Sequence, residues 1–482
     1  MFPEIQYWQW RRARSDLAEL HETEPGQPPR ERLLQHIWLH QRLRRDDLHT
    51  IDGRPLAVLH PGFWNREAGP DFRQAMIQIG EPPARSGDVE VDVCSSGWSQ
   101  HHHRLNPAYR NVILHVVWEA SDSGPDSLPT LALRDWIEAP LAEIEGWLGG
   151  SSVTALPANL RGACVEPLTR LAAQDLGHLL RQAAKVRLES KAARLRSRAR
   201  QAGWDQALWE GLFAALGYKQ NVWPLRRLAE LLPRLRAAEN GRPLSAHRWQ
   251  VILLGVGGLL PSGLTRPSRG MDPYLVSLWD EWWRERARFD DDLIPRGLWL
   301  FHGLRPANHP ARRLALAAHW LADGAWPNRL EEWLAEDIPD RRLPGTLVER
   351  WQAVPHDFWS WHWTFRSARL ARSRPWLGVE RATDLAMNVV LPWLWSRAGS
   401  GGDPALAGRA EHRYFAWPAA QDNAVLRLAG QRLLAGHSLP RPYRAADQQG
   451  LLQIVRDFCD HADALCQECV FPELVGGIGA AG

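Results

Sequence analysis

Gly87-Asp88-Val89-Glu90-Val91-Asp92-Val93 is the stretch whose reading decides the fold. From Val89 to Val93, valines and acids strictly alternate. Successive side chains on a strand point to opposite faces, so the three valines share one face and Glu90 and Asp92 the other. Upstream, Gly69-Pro70-Asp71-Phe72 opens a second strand pattern, Phe72 to Ile79. Downstream, past His101-His102-His103, the run Val112 to Trp118 is apolar except for His115 and rich in β-branched residues, as a strand covered on both faces requires. Asp71 on one strand and an acid pair on the next make a candidate seat for a divalent cation.

Working outward, residues 1–25 read as a polar and aromatic arm. After Pro28-Pro29, Leu33, Leu34, Ile37, Trp38 and Leu43 recur at helical spacing over Glu31 to Leu43. A turn at Ile51 to Pro55 leads into a short strand, Leu56 to His60, and Gly80 to Ser86 is a second turn region. Gly97 to Tyr109 reads as an irregular or briefly helical connection. The order is helix, three strands, connection, strand. This αβββαβ sandwich resembles the core of the PD-(D/E)XK nuclease superfamily, whose acids lie on the second and third strands, as Asp71 and Glu90 would here.

A further helix is expected from Leu133 to Leu148, then a loop. From about residue 165 helical spacing dominates, with one long helix expected over Thr169 to Arg200. The expected fold class is therefore α+β. Its units are the arm, a nuclease-like α/β domain over 26–148, a linker over 149–164, a helical domain over 165–397, and a carboxy-terminal helical segment over 398–482.

Composition narrows the function classes. A chain of 482 residues exceeds one ordinary core. Hydrophobic residues at 45% and charged ones at 23% describe a soluble globular protein. A net charge of +3 argues by itself for neither nucleic acid nor membrane. Of the 58 basic residues only Lys185, Lys191 and Lys219 are lysines, a skew that lowers the weight of any arginine patch. The 27 tryptophans scatter along the chain, which favours core packing over a stacking platform. The apolar stretches Val251 to Pro261 and Leu385 to Trp395 are too short to span a bilayer. Five cysteines with no signal-peptide pattern point to reduced thiols in a cytoplasm.

Four constellations carry chemistry. Asp71, Glu90 and Asp92 come first, because acids on strands about 4.8 Å apart can share one cation, and oxygen-rich sites suit Mg²⁺ or Mn²⁺. The competing reading is a hairpin with a solvated acidic face. His101 and His103 could share a face of an extended segment and assist as a general acid or further ligands, against a plain polar loop. His60 and His115 flank them, the latter read as a core histidine. Cys459, His461, Cys466 and Cys469 offer four zinc ligands, although the two halves stand closer than in a usual zinc finger. Lys185, Arg187, Lys191, Arg194 and Arg198 form a basic run on the long helix, either a solvated face or a phosphate-binding surface.

His60-Pro61-Gly62, Ala68 to Phe72, Gly87 to Glu90, Ser95-Ser96, His101-x-His103 and Asn111 to Val117 together resemble a bacterial family of uncharacterised proteins, the domain-of-unknown-function 2851 family. Gly217-Tyr218-Lys219-x-Asn221, Leu254 to Pro261, Arg305 to Pro310 and the terminal cysteines extend the likeness over nearly the whole chain. That family implies no established activity. Its pattern tends to histidine where Asp92 stands and to aspartate where Gly97 and Asn106 stand. In the nuclease superfamily the residue two after the strand acid is usually lysine, whereas here it is Asp92.

Two function classes follow. One is a Mg²⁺- or Mn²⁺-dependent phosphodiesterase acting on DNA or RNA through Asp71, Glu90 and Asp92. The other is a non-catalytic scaffold whose tryptophan-rich helices hold a protein partner.

Overall fold

Six strands form one mixed sheet: β1 (Leu56–His60), β2 (Phe63–Trp64), β3 (Phe72–Ile79), β4 (Arg85–Cys94), β5 (Val112–Glu119) and β6 (Thr130–Ala132). They belong to a computed structural model that describes residues 7–11, 28–65, 67–100, 106–120, 128–141, 143–144, 161–261, 272–351, 358–437, 443–459, 466 and 469–480. The spatial order is β1-β3-β4-β5-β6, with β2 hooked onto β3. β1, β3 and β4 run antiparallel, while β4, β5 and β6 run parallel. β4 is therefore central, as its alternation requires. Val89 and Val91 bury their face against Leu34, Ile37 and Trp38 of the helix Glu31–His40. The Trp38 indole N–H donates to the Pro61 carbonyl at 2.9 Å, which anchors that helix to the turn after β1. Gly62 sits in that turn at φ 98°, and a Cβ there would lie 3.0 Å from the Arg73 carbonyl.

The helix expected over Leu133 to Leu148 starts later than the spacing predicts. Its first residues form a 3₁₀ turn and an isolated bridge, Leu43 to Ile137, and helix is present at Leu141, Glu143 and Ile144, with Ile144 buried in the sheet core. Thr130–Ala132 pairs with β5 as an edge strand, His115 opposite Thr130, and one 3₁₀ turn, Leu133–Asp135, follows. Leu131 and Leu133 are both buried in the sheet core, so the chain leaving this edge strand stays against the sheet before the helix begins. Beyond residue 144, the end of that expected helix lies outside the described residues.

The rest is helical. The helix Ala173–Ala202 runs through it and contributes to all three cores. Leu179, Leu180 and Ala183 join the carboxy-terminal core with Leu433, Ile454 and Phe471. Ala184 and Leu188 join the large core, and Ala193 packs against the sheet core. Leu59 of β1 reaches into the large core and docks the sheet onto the helices. Trp320, Trp333, Trp351, Trp359, Trp393 and Trp417 are fully buried there, so these tryptophans pack rather than stack bases. Residues 401–403 connect the helices Leu391–Ser400 and Pro404–Ala416, the second of which is capped by the Asp403 carboxylate accepting the Leu406 N–H. Among the described residues no helix is long and apolar enough to cross a membrane.

Gly450 marks where the helix Ala445–Ile454 crosses the long helix most closely, since a Cβ there would come within 2.3 Å of the Leu180 carbonyl. Gly450→Ala is expected to lower the thermal midpoint by the equivalent of about 1–3 kcal/mol. Calorimetry of the purified variant checks this, and an unchanged midpoint would place that crossing elsewhere.

Candidate functional site

The acids converge where β3 parts from β4. Phe72 is still opposite Val89, but Asp71, one residue earlier, lies beyond the ladder. Its carboxylate takes over the pairing there, Oδ2 accepting the Val91 N–H at 3.1 Å. In return the Asp71 N–H donates to Glu90 Oε2 at 3.1 Å. Each carboxylate is thus held by main chain of the neighbouring strand region, Glu90 by Asp71 and Asp71 by Val91. A helical residue supports them: Gln35 Nε2 donates to Asp71 Oδ1 at 2.9 Å and to Glu31 Oε1 at 3.0 Å. Glu31 and Gln35 are one turn apart on the helix that covers the valine face, so they share a side.

On the opposite face, Asp92 is 3% exposed and its Oδ2 bonds His115 Nε2 at 2.9 Å. The His115 ring lies 5.5 Å from Trp98, whose ring in turn meets Tyr109 edge-on. The connection between β4 and β5 therefore roofs the acid face. A Cβ on Gly97 would lie 2.7 Å from Asp92 Oδ1, so an aspartate at 97 is incompatible with Asp92 as placed. Asn106 accepts the Ala108 N–H with its side chain and starts the turn Pro107–Tyr109, a role aspartate would fill equally.

Burial dominates the electrostatics. Desolvation pushes the Asp71 carboxyl up to about 7, with Glu31 and Asp92 adding to it against the Val91 and Gln35 hydrogen bonds. Glu90, 7% exposed, is pushed up to about 9, first by desolvation and then by the charges of Asp71, Asp92 and Glu31. Tyr109 rises to about 12, by desolvation and then by the field of Glu90 and Asp71. Four acids, Glu31, Asp71, Glu90 and Asp92, thus lie within reach of one another's charge. Among the described residues no three His, Cys, Asp or Glu side chains are arranged to hold a metal ion.

The other expected residues fare differently. His101, His103 and His461 lie outside the described residues. The His60 ring accepts the Gly62 N–H at 3.0 Å, and burial lowers it to about 4, so it is a neutral turn residue. The basic run does not form an exposed stripe. Arg187 Nε and Lys191 Nζ both donate to Gln449 Oε1, at 2.8 and 2.7 Å, and Lys191 also donates to Asn388 Oδ1 at 2.8 Å. Arg194 donates to the Ser190 carbonyl at 3.2 Å. Arg198 bridges Glu210 and Asp46 at 2.7 and 2.6 Å, and Lys185 pairs with Glu411 over the Trp395 ring. Lys191 and Arg198 are buried and the others are half-buried, because the helix that carries them is packed on several sides. Cys459, Cys466 and Cys469 gather at the carboxy-terminal core, where Cys164 joins them.

Sequence reasoning missed Glu31, Gln35 and Tyr109. An acid and an amide one turn apart, just ahead of the sheet, were the available signal for the first two. Cys164 carried none, being a single cysteine far from the others.

The chain belongs to the family described as "Protein of unknown function (DUF2851)", whose model matches residues 31–421. No curated protein and no solved structure matches it.

Carboxyls with raised values hold protons that the unfolded chain has already released. Their contribution to stability is complete below the ordinary carboxylate range and is lost as pH rises through about 7 for Asp71 and about 9 for Glu90. Without divalent cations, the thermal midpoint of the wild-type chain is expected to fall across that window. Glu90→Gln, which keeps an acceptor for the Asp71 N–H, should flatten the fall. Parallel profiles in scanning calorimetry would mean that Glu90 does not titrate there.

Proposed function

We propose that the pocket of Asp71 and Glu90 binds a divalent cation and that the protein is a metal-dependent phosphodiesterase acting on nucleic acid. The observation that carries this reading is the pairing of two carboxylates across the parting strands, with Glu31 and Asp92 near enough for their charges to act on both. Carboxylates brought this close raise each other's proton affinity and can share a cation.

The donor set fits a hard ion. Mg²⁺ and Mn²⁺ prefer carboxylate oxygens, and Mg²⁺ commonly takes one or two carboxylates and completes its shell with water and phosphate oxygens. Asp71 and Glu90 would hold it. Asp92, bonded to His115, would act through its charge. Bound there, such an ion supplies Lewis-acid polarisation of a phosphoryl oxygen and lowers the pKa of a bound water. The chain's own residues do the rest. Gln35 fixes the orientation of Asp71, Trp98 and Tyr109 pack beside the acid face, and Glu90 would give up its proton to serve as a ligand.

The element order also supports a nuclease-like sandwich. A helix covers one face, three antiparallel strands follow, and a fourth strand returns parallel to the third, with the acids at the start of β3 and within β4. The scaffold reading draws on a different observation: Asp92 is already satisfied by His115, leaving two carboxylates rather than three for an ion.

Two measurements on the full chain separate these readings. Calorimetric titration with Mn²⁺ should show binding that strengthens as pH rises through about 7 to about 9, because the cation displaces protons from Asp71 and Glu90. Incubation with single- and double-stranded DNA and with RNA should show Mn²⁺- or Mg²⁺-dependent cleavage, reduced at least on the order of 100-fold in Glu90→Gln or Asp71→Asn. Absence of both binding and cleavage would leave the scaffold.

A further inference from the structure

Four of the five cysteines meet at one place, though the chain separates Cys164 from the rest by most of its length. Cys164 and Cys459 are buried in the same core, and Cys469 packs against it. Cys466 and Cys469 are the two ends of a tight turn, with the Cys469 N–H donating to the Cys466 carbonyl at 3.5 Å and Cys466 at φ 56°. The Cys469 thiol points back to the Phe458 carbonyl, next to Cys459, at 3.9 Å.

Arg432 is the hub. It is 2% exposed, and its Nη2 donates to Cys466 Sγ at 2.9 Å. The same guanidinium bonds the Cys459 thiol. Its main-chain carbonyl accepts the Gly162 N–H at 2.9 Å, and a Cβ on Gly162 would lie 3.2 Å from Cys164 Sγ. The sulfurs of Cys459, Cys466 and Cys469 are close enough to Cys164 for their charges to act on its thiol. The fifth cysteine, Cys94, is exposed on the sheet.

We infer that Cys164, Cys459, Cys466 and Cys469 are the four ligands of a thiolate-bound metal centre that pins the carboxy-terminal segment to the segment ahead of the long helix. Sulfur ligands select zinc or an iron–sulfur cluster, and a turn-forming C-x2-C pair supplies two ligands from one side. A buried guanidinium among the sulfurs marks the place where positive charge is accommodated. Among the described residues the sulfurs are not drawn to one point, and Arg432 stands between them instead. Metal binding would therefore displace Arg432 outward and close the thiolates inward. The alternative is four thiols packed as small apolar side chains. Such packing does not need a C-x2-C pair hydrogen-bonded to each other beside a buried arginine, with two further thiols, one from a distant part of the chain, in the same core.

The test is elemental analysis of the full chain purified anaerobically without chelator, with acid-labile sulfide and the visible spectrum recorded. Stoichiometric zinc without sulfide identifies a zinc site, and iron with sulfide and visible absorption identifies a cluster. Cys164→Ser should lose the metal as completely as Cys469→Ser, whereas Cys94→Ser and Glu90→Gln retain it. The last variant separates this site from the acidic pocket. Should Cys164→Ser fail to fold, thiol titration of the native wild-type chain serves: a chelator should unmask additional reactive thiols besides Cys94. A wild-type chain that holds neither metal after anaerobic reconstitution would overturn the inference. So would a Cys164→Ser chain with undiminished metal, or thiol reactivity unchanged by chelation.

Discussion

One helix has to satisfy three cores at once. Ala173–Ala202 is 30 residues long, which at the usual rise is about 45 Å. Its first half packs with the carboxy-terminal helices, its middle with the large tryptophan-rich core, and Ala193 with the sheet. A helix covered on several sides has no single apolar stripe to display. Small residues such as Ala183, Ala184 and Ala192 let neighbours approach, and Gly450 brings a crossing helix onto the Leu180 carbonyl.

That crowding explains why its cations face inward. Lys191 and Arg187 share the Gln449 amide oxygen, and Arg198 is held between Glu210 and Asp46. Arg45 reaches Glu210 and Glu230 at 3.3 and 3.0 Å, so the seam between sheet and helices is a charge network. Buried ion pairs add little net stability, because desolvation offsets their attraction, but losing one partner is costly. They therefore fix how the sheet sits on the helices more than how tightly. Burial likewise governs the acid site, where the end of a strand ladder leaves the Val91 N–H, which the Asp71 carboxylate accepts.

Much of the sheet was legible residue by residue. The alternation of Val89 to Val93 implied a strand with acids and valines on opposite faces, and the apolar run after Asn111 implied a covered neighbour. The edge strand Thr130–Ala132 was missed because three residues are too short to show an alternation, and the helix after it was expected to start at Leu133, where a 3₁₀ turn stands. Glu31 and Gln35 were hidden for another reason. On an amphipathic helix a polar face normally meets water, and its turning toward Asp71 depends on where the helix lies across the sheet.

Local pattern alone thus determined four of the six strands, the helical majority, the inward tryptophans and the family, since each follows from periodicity or from contiguous motifs. Tertiary structure decided which side chains share a space: Asp71 with Glu90 and Gln35, Arg198 with Glu210, and Cys164 with the terminal cysteines. Those pairings join positions far apart along the chain. Spacing along a chain governs direction within one element, whereas proximity between elements is set by packing.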